Sequence, residues 1–293
     1  MRFSGSYVAI VTPWNKDLSG IDFGVLEELI EWQITSGTDG ILPAGTTGES
    51  PTLSHEEHEE LIVRTVKLAA GRAKVVAGAG SNSTAESISL AKAAKAAGAD
   101  AIMSVTPYYN RPTQEGLVRH FSTVAENCDL PTMIYNIPSR TGVTMLSESI
   151  ARVNRDFPHV SAVKEATGNI DNATQLVSLT DMDILSGDDS LTLPIMSVGG
   201  KGVVSVIANI APAETKRMVT AALADDYAKA REWHHKLYPI MKECFIETNP
   251  GPVKTALRLM GRAGGRMRLP MVEPSPESEK RILAALKKVG LAT

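Results

Sequence analysis

Eight times between residues 7 and 206, a short run rich in β-branched and apolar side chains gives way to a polar or glycine-containing turn and then to a stretch with helical periodicity. The runs are 7–11, 40–43, 74–77, 101–105, 132–135, 160–164, 183–185 and 203–206. Regular strand–helix repetition of this kind restricts a chain to a doubly wound parallel sheet or a closed (β/α)8 barrel. A doubly wound sheet needs a phosphate loop at its switch point, and the candidates are poor. Gly78-Ala79-Gly80 follows a strand, but Ser83 stands where the third glycine belongs, and Asp100 falls at the usual acidic distance by coincidence. Dinucleotide binding therefore carries little weight. Gly199-Gly200-Lys201-Gly202 precedes a strand and reads as a helix-to-strand turn. Helix starts are marked by Ser54 with Glu57, a capping box, and by Asp188, which can cap a helix around Leu191.

From about Ala224 the alternation stops, and helical patterns follow over 225–247, 252–260 and 275–289, with Pro250 and Pro252 separating the first two. The expected fold is α/β: a (β/α)8 TIM barrel over 1–224 with a C-terminal three-helix appendage over 225–293, packed on the barrel or on a neighbouring subunit.

Bulk properties exclude several classes of function. A net charge of −3 without a basic stripe argues against nucleic acid. Met1-Arg2-Phe3-Ser4-Gly5-Ser6 lacks an apolar signal core, and no apolar run is long enough to cross a bilayer. Cys128 and Cys244 are far apart and fit no metal spacing, so a reducing, cytoplasmic setting is expected. His55 and His58 in the run His55-Glu56-Glu57-His58-Glu59-Glu60 share a helix face but lack the spacing of a zinc motif, and on their own read as a solvated patch. No metal is expected. His234 and His235 are adjacent and cannot both face one site, and Trp233 is expected to pack a helix.

In a barrel the chemistry gathers at the C-terminal ends of the strands. Lys164 ends the sixth run, where an amine kept from water loses proton affinity and becomes a candidate imine-forming nucleophile. A lysine that only snorkels to solvent is the alternative. Gly45-Thr46-Thr47-Gly48-Glu49-Ser50 follows the second strand. Its glycines allow a tight loop whose N–H groups and hydroxyls can hold a carboxylate, and it lacks the ending of a nucleotide P-loop. Thr106-Pro107-Tyr108-Tyr109-Asn110 follows the fourth strand, and Tyr135-Asn136-Ile137-Pro138-Ser139-Arg140-Thr141-Gly142 ends the fifth. A guanidinium at Arg140 would depress the amine's pKa and grip a substrate carboxylate, and a tyrosine hydroxyl can relay protons.

Together these motifs resemble the pyruvate-dependent class I aldolase superfamily that includes N-acetylneuraminate lyase, and within it the dihydrodipicolinate synthase family, from Gly5 through the C-terminal helices. Two details favour the synthases: the paired threonines Thr46-Thr47, where sialate lyases have Ser-Thr, and Arg140 in Ser139-Arg140-Thr141-Gly142. The resemblance implies condensation of pyruvate with L-aspartate 4-semialdehyde through an imine on Lys164, without metal or other cofactor, as the first committed step of diaminopimelate and lysine biosynthesis. It implies Tyr135 as the main proton shuttle, relayed through Thr46 and through Tyr109 of a neighbouring subunit. Thr46 and Thr47 would hold the pyruvate carboxylate, Arg140 that of the semialdehyde, and Gly187 and Val206 would contribute main-chain groups near the lysine. Isoleucine is common at the position of Val206; since the backbone acts there, little consequence is expected. Feedback inhibition by L-lysine is a further expectation, with a pocket mapped to Ser50, His55, His58, Asn82, Glu86 and Tyr108, and with Pro51 where many lysine-sensitive members have alanine. A homotetramer built as a dimer of dimers is implied by the family, and Tyr108 and Tyr109 would suit a dimer seam. Two alternatives remain open at this point. One keeps the imine chemistry with another aldehyde, as in N-acetylneuraminate lyase or a 2-keto-3-deoxy sugar-acid aldolase or dehydratase. The other is a non-catalytic barrel that senses keto acids.

Overall fold

The computed structural model describes residues 1–262 and 264–292; Ala263 and Thr293, both within the expected C-terminal region, lie outside the described residues. Eight parallel strands close into a barrel in chain order: β1 Gly5–Ala9, β2 Gly40–Leu42, β3 Lys74–Gly78, β4 Ala101–Val105, β5 Thr132–Asn136, β6 Val160–Glu165, β7 Asp183–Ser186 and β8 Gly202–Ser205. Around it run α1 Phe23–Thr35, α2 His55–Ala69, α3 Thr84–Ala96, α4 Gln114–Asn127, α5 Pro138–Thr141, α6 Ser147–Asp156, α7 Ile170–Leu179, α8 Thr192–Ser197 and α9 Pro212–Leu223. The expected (β/α)8 architecture is therefore present, and the doubly wound alternative is excluded by ring closure. Closure itself depends on a glycine. A Cβ on Gly202 would lie 1.9 Å from the carbonyl oxygen of Gly5, its partner in the β1–β8 ladder.

Strand limits shift from the sequence-based ones for identifiable reasons. β1 was expected over 7–11 but runs Gly5–Ala9. The N–H of Ile10 still reaches Leu42 O at 3.1 Å, but that of Val11 turns to the side chain Oδ1 of Asn209 at 3.0 Å, which ends the ladder. The capping box is as expected, with Ser54 and Glu57 satisfying each other's N–H groups, and Asp188 caps the 3-10 turn Asp189–Leu191.

Alternation along the strands sorts the core into two layers. Tyr7, Leu42, Val76, Met103, Met133, Tyr135, Ala162, Leu185 and Val204 fill the barrel interior. Their sequence neighbours Val8, Ile41, Ala77, Ile102, Ile134, Val163, Ile184 and Val203 pack outward in the clusters that join barrel and helices. One irregularity interrupts this order. Between β5 and β6 the pairing passes from Thr132↔Val160 to Met133↔Ala162, so Ser161 is an extra residue on β6. Val160 faces outward, Ala162 inward, and from there Val163 and Lys164 resume strict alternation.

The C-terminal region forms α10 Tyr227–Glu243, α11 Gly251–Leu259 and α12 Pro276–Val289. The first is shorter than the expected 225–247. Asp225 adopts φ 59° and Asp226 caps the start, while the helix closes at Cys244, before either proline. Leu237, Ile240, Val253, Leu257, Ile282 and Leu286 share one apolar cluster with Val8, Ile10, Leu26 and Ile207 of the barrel. Trp233 packs partly against the same cluster, under Arg217 and Lys236. The His234 and His235 rings meet edge-on at 5.7 Å. Among the described residues, no helix is long and apolar enough to cross a membrane.

Candidate active site

Lys164 is the penultimate residue of β6, and the parallel register sets it directly opposite Tyr135 on β5 and Leu185 on β7. As an inward-facing position two residues after Ala162, it delivers its amine to the barrel interior. It is 4% exposed, and Nζ lies 4.0 Å from the centroid of the Tyr135 ring. Burial among apolar groups lowers its pKa from the usual 10.5 to about 7; Asp189 partly offsets this and Arg140 adds to it. At neutral pH a substantial fraction of such amines is free to attack a carbonyl. Tyr135 is buried too, and desolvation pushes its phenol up to about 12, with Arg140 and the Thr46 hydroxyl pulling the other way. It stays protonated at neutral pH and is suited to donate and relay a proton rather than to act as a standing base.

Gly187 follows β7 and donates its N–H to Glu165 O at 2.7 Å. A Cβ there would lie 2.7 Å from Ala166 Cβ and 3.1 Å from Lys164 Cγ, so the absence of a side chain makes room for the lysine stem. Gly187→Ala is expected to displace Lys164 and lower kcat by about 10²-fold, the usual cost of misplacing a reacting group by an ångström. A pyruvate-dependent rate within twofold of the parent enzyme would refute this role.

The turn after β2 carries the two threonines. Its internal bonds run from Glu49 N–H to Thr46 O at 3.1 Å and from Ser50 N–H to Gly45 O at 3.2 Å. The N–H groups of Thr46 and Thr47 thus have no protein acceptor among the described residues, as a carboxylate-binding nest requires. Glu49 adopts the left-handed conformation at φ 55°, ψ 37°, a strain of about 1 kcal/mol or more for a residue with a side chain. Contacts from elsewhere hold it. Its carboxylate bonds Lys254 Nζ, receives Trp14 Nε1–H at 3.0 Å, and receives the Arg268 N–H at 3.2 Å. Lys254, on α11, also donates to Thr12 O at 2.8 Å and Arg266 O at 2.7 Å and is fully buried. Asn249, just before α11, donates its amide to Thr47 Oγ1 at 3.0 Å, while its carbonyl accepts from Arg140 Nη2 at 3.0 Å. Arg140 stands on α5, a single turn begun by Pro138 and ended by Gly142 at φ 73°.

A cavity of about 460 Å³ opens here. Thr46, Tyr135 and Arg140 line its inner part, and Ser50, His55, His58, Glu86 and Tyr108 line the same continuous space. Lys164 does not line it directly; its amine rests against the Tyr135 ring. Asn82 lies at the edge, donating to Tyr108 O at 3.2 Å. The two histidines differ from the expected solvated patch. His55 is exposed and 3.4 Å from Glu86 Oε1, but His58 is only 7% exposed and burial lowers its pKa. Helical spacing gave them a common face; packing of α2 on the barrel covers the second. Tyr109, at φ 69° and 91% exposed, stands outside its own subunit's cavity. Val206 has its N–H on Asp189 Oδ2 at 3.0 Å and its carbonyl on the N–H and amide of Asn209 at 3.1 and 2.9 Å.

Three residues that contact this machinery carry no sequence signal of their own. Asp189, Asn249 and Lys254 act through partners 12 or more residues away, beyond any local motif. Among the described residues, no group of three His, Cys, Asp or Glu is arranged to hold a metal.

Fold and site together define a barrel enzyme of the imine-forming aldolase type, a lyase whose reactive group is a lysine amine. The chain belongs to the dihydrodipicolinate synthetase family, whose model matches residues 2–289. It is 52% identical over 290 residues to the 4-hydroxy-tetrahydrodipicolinate synthase of Methanocaldococcus jannaschii, covering 99% of each chain. The crystal structure of the chloride-inhibited dihydrodipicolinate synthase of Acinetobacter baumannii complexed with pyruvate superposes with a TM-score of 0.96 at 42% identity, over 98% of this chain and 99% of that one. The enzyme of Cyanidioschyzon merolae with lysine bound gives a TM-score of 0.96 at 38% identity, over 99% and 100%.

Proposed function

We propose that the chain condenses pyruvate with L-aspartate 4-semialdehyde to 4-hydroxy-tetrahydrodipicolinate, through an imine on Lys164. The observation that carries this reading is the buried amine at about pKa 7 set by strand register against the Tyr135 phenol. The free amine adds to the ketone of pyruvate, and the resulting carbinolamine takes up a proton on its hydroxyl and loses water to leave a protonated imine. That cation is an electron sink, so a methyl proton can leave to give an enamine without metal or other cofactor. The enamine carbon adds to the semialdehyde carbonyl, whose oxygen takes up a proton. The semialdehyde's own amine then displaces Lys164 as the ring closes.

The free N–H groups and hydroxyls of Thr46 and Thr47 support a role in holding the pyruvate carboxylate, and Arg140 one in holding that of the semialdehyde. Tyr135 would move protons with Thr46, while Tyr109, exposed in the isolated chain, would complete the relay in a neighbouring subunit's site. Such a role supports an assembly of at least two copies, and the family-implied homotetramer extends it. Gly187 makes room for the lysine stem, and Val206 would contribute main-chain groups near it, its carbonyl held by Asn209. In this reading 1–224 supplies the reacting groups and 225–293 braces the threonine turn and Arg140. Two buried free cysteines support a cytoplasmic location. L-Lysine as an inhibitor at Ser50, His55, His58, Asn82, Glu86 and Tyr108 is supported by the polar lining that all of these but Asn82 give the outer cavity, with Asn82 bonded to Tyr108 O.

Steady-state assay with pyruvate and aspartate semialdehyde, run in parallel with N-acetylmannosamine, tests the substrate. Turnover of the semialdehyde alone is expected, with a raised KM for it in Arg140→Ala. Preference for the amino sugar would overturn the reading. Added L-lysine in the same assay tests the outer pocket, and an unchanged rate at millimolar lysine would remove that role.

A further inference from the structure

Asp189, the first residue of the turn after β7, is a buried carboxylate without an ion-pair partner among its hydrogen bonds. It is 2% exposed, Oδ1 accepts Ser205 Oγ–H at 2.5 Å, and Oδ2 accepts the N–H groups of Val206 and Ile207 at 3.0 and 3.1 Å. Ser205 Oγ in turn accepts the Ala208 N–H at 2.8 Å. One side chain thereby fastens the end of β7 to the end of β8, the two strands that follow β6 around the barrel. Burying an anion on neutral donors alone is unfavourable, and burial pushes its pKa up to about 6 against the pull of those three bonds. A neutral side chain of similar shape would brace the turns at lower cost. The charge therefore calls for a functional reason.

Lys164 provides it. The parallel register sets Lys164 opposite Leu185, four residues before Asp189, and a Cβ on Gly187 would lie 3.1 Å from Lys164 Cγ, so the turn that carries Asp189 packs on the lysine stem. Of burial, Asp189 and Arg140, Asp189 alone favours the cation there. The reaction assigned above requires a cation at that nitrogen, the protonated imine, on a residue that is 4% exposed. We propose that Asp189 is a positioning residue for the imine chemistry: its carboxylate clamps the ends of β7 and β8 beside Lys164 and is the negative counter-charge to the protonated imine formed there. A fixed charge already in place at the moment of reaction stabilises a developing cation without reorganisation.

The other titratable groups around the pair are Tyr135 on β5 and Arg140 on α5 on the lysine side, Asp188 in the same turn, and Cys244 with Glu243 at the end of α10. Tyr135 titrates near 12 and the Cys244 thiol is held well above its ordinary value, so neither produces a limb near neutrality. That limb belongs to Lys164, with the Asp189 charge superimposed.

The inference rests on the imine reading, and its test separates the two. Full-length parent enzyme, Asp189→Asn and Ser205→Ala are compared by kcat/KM for pyruvate against pH and by the rate of borohydride trapping with pyruvate. Asp189→Asn keeps an oxygen for the two N–H groups and removes the charge. It is expected to fall about tenfold or more in trapping rate, with its acid limb about one pH unit lower. Ser205→Ala leaves the carboxylate but removes one donor, and its limb should move the same way by less. Parent enzyme that is not trapped would overturn the imine reading. Trapping by the parent with an unmoved limb in Asp189→Asn would leave the imine standing and overturn the role of Asp189.

Discussion

Lys164→Ala is expected to abolish the borohydride-trapped pyruvate adduct and to lower kcat by on the order of 10⁴-fold or more, because it deletes the amine proposed to bond to substrate. The loss should not be a folding defect. The position is walled by Ala162, Leu185 and Tyr135, and truncation removes an amine that the interior disfavours. The other deeply buried lysine cannot substitute, since Lys254 is committed to Glu49 and two main-chain carbonyls. In the parent enzyme, kcat/KM for pyruvate should rise with pH through about 7 as the amine loses its proton, falling about tenfold per pH unit on the acid side. Intact mass after reduction, with circular dichroism as the check on folding, measures the first expectation. An adduct retained in folded Lys164→Ala would place the nucleophile elsewhere and end the mechanistic assignment.

The second large effect concerns stability. Lys254→Met would leave the Glu49 carboxylate, with a side chain 1% exposed, supported among the described residues by the Trp14 and Arg268 N–H groups alone. Removing one member of a buried ion pair costs about 3–5 kcal/mol, because the survivor is an uncompensated buried charge. A fall in Tm of roughly 10 °C is the corresponding expectation for a chain of this size. The double change Glu49→Leu with Lys254→Met should recover a large part of that loss, since an apolar pair incurs no desolvation penalty. The recovered protein should nevertheless bind pyruvate poorly, because Glu49 holds the left-handed corner of the threonine turn. Thermal melts of the four proteins of the cycle check this, and single changes that sum to the double would show the pair to be uncoupled.

Local pattern made the barrel legible. Eight apolar runs, the Ser54–Glu57 box and the Asp188 cap are each encoded within a few residues, and each is found where the pattern puts it apart from shifts of one or two residues at the strand ends. Lys164 was legible too, as a charge at the end of an apolar run. What escaped is of another kind. The end of β1 is set by Asn209, the shape of the threonine turn by Lys254 and Asn249, and the join between the ends of β7 and β8 by Asp189. These are unions between distant segments, and a one-dimensional pattern has no term for them. His58 shows the converse, a residue in an acidic run that reads as solvated and is covered when α2 docks.

The single additional residue at Ser161 has a consequence for the whole site. Counting by twos from the outward-facing Val160 would turn position 164 to the helices, and only the half-step at Ser161 inverts the parity so that the amine enters the ring. The direction of this amine is thus written in the length of the chain between His159 and Ala162, not in the lysine. Sequence drift can exchange side chains along this strand, but losing or gaining one residue there would rotate the amine out of the barrel at a stroke, so length at this point is under tighter constraint than composition.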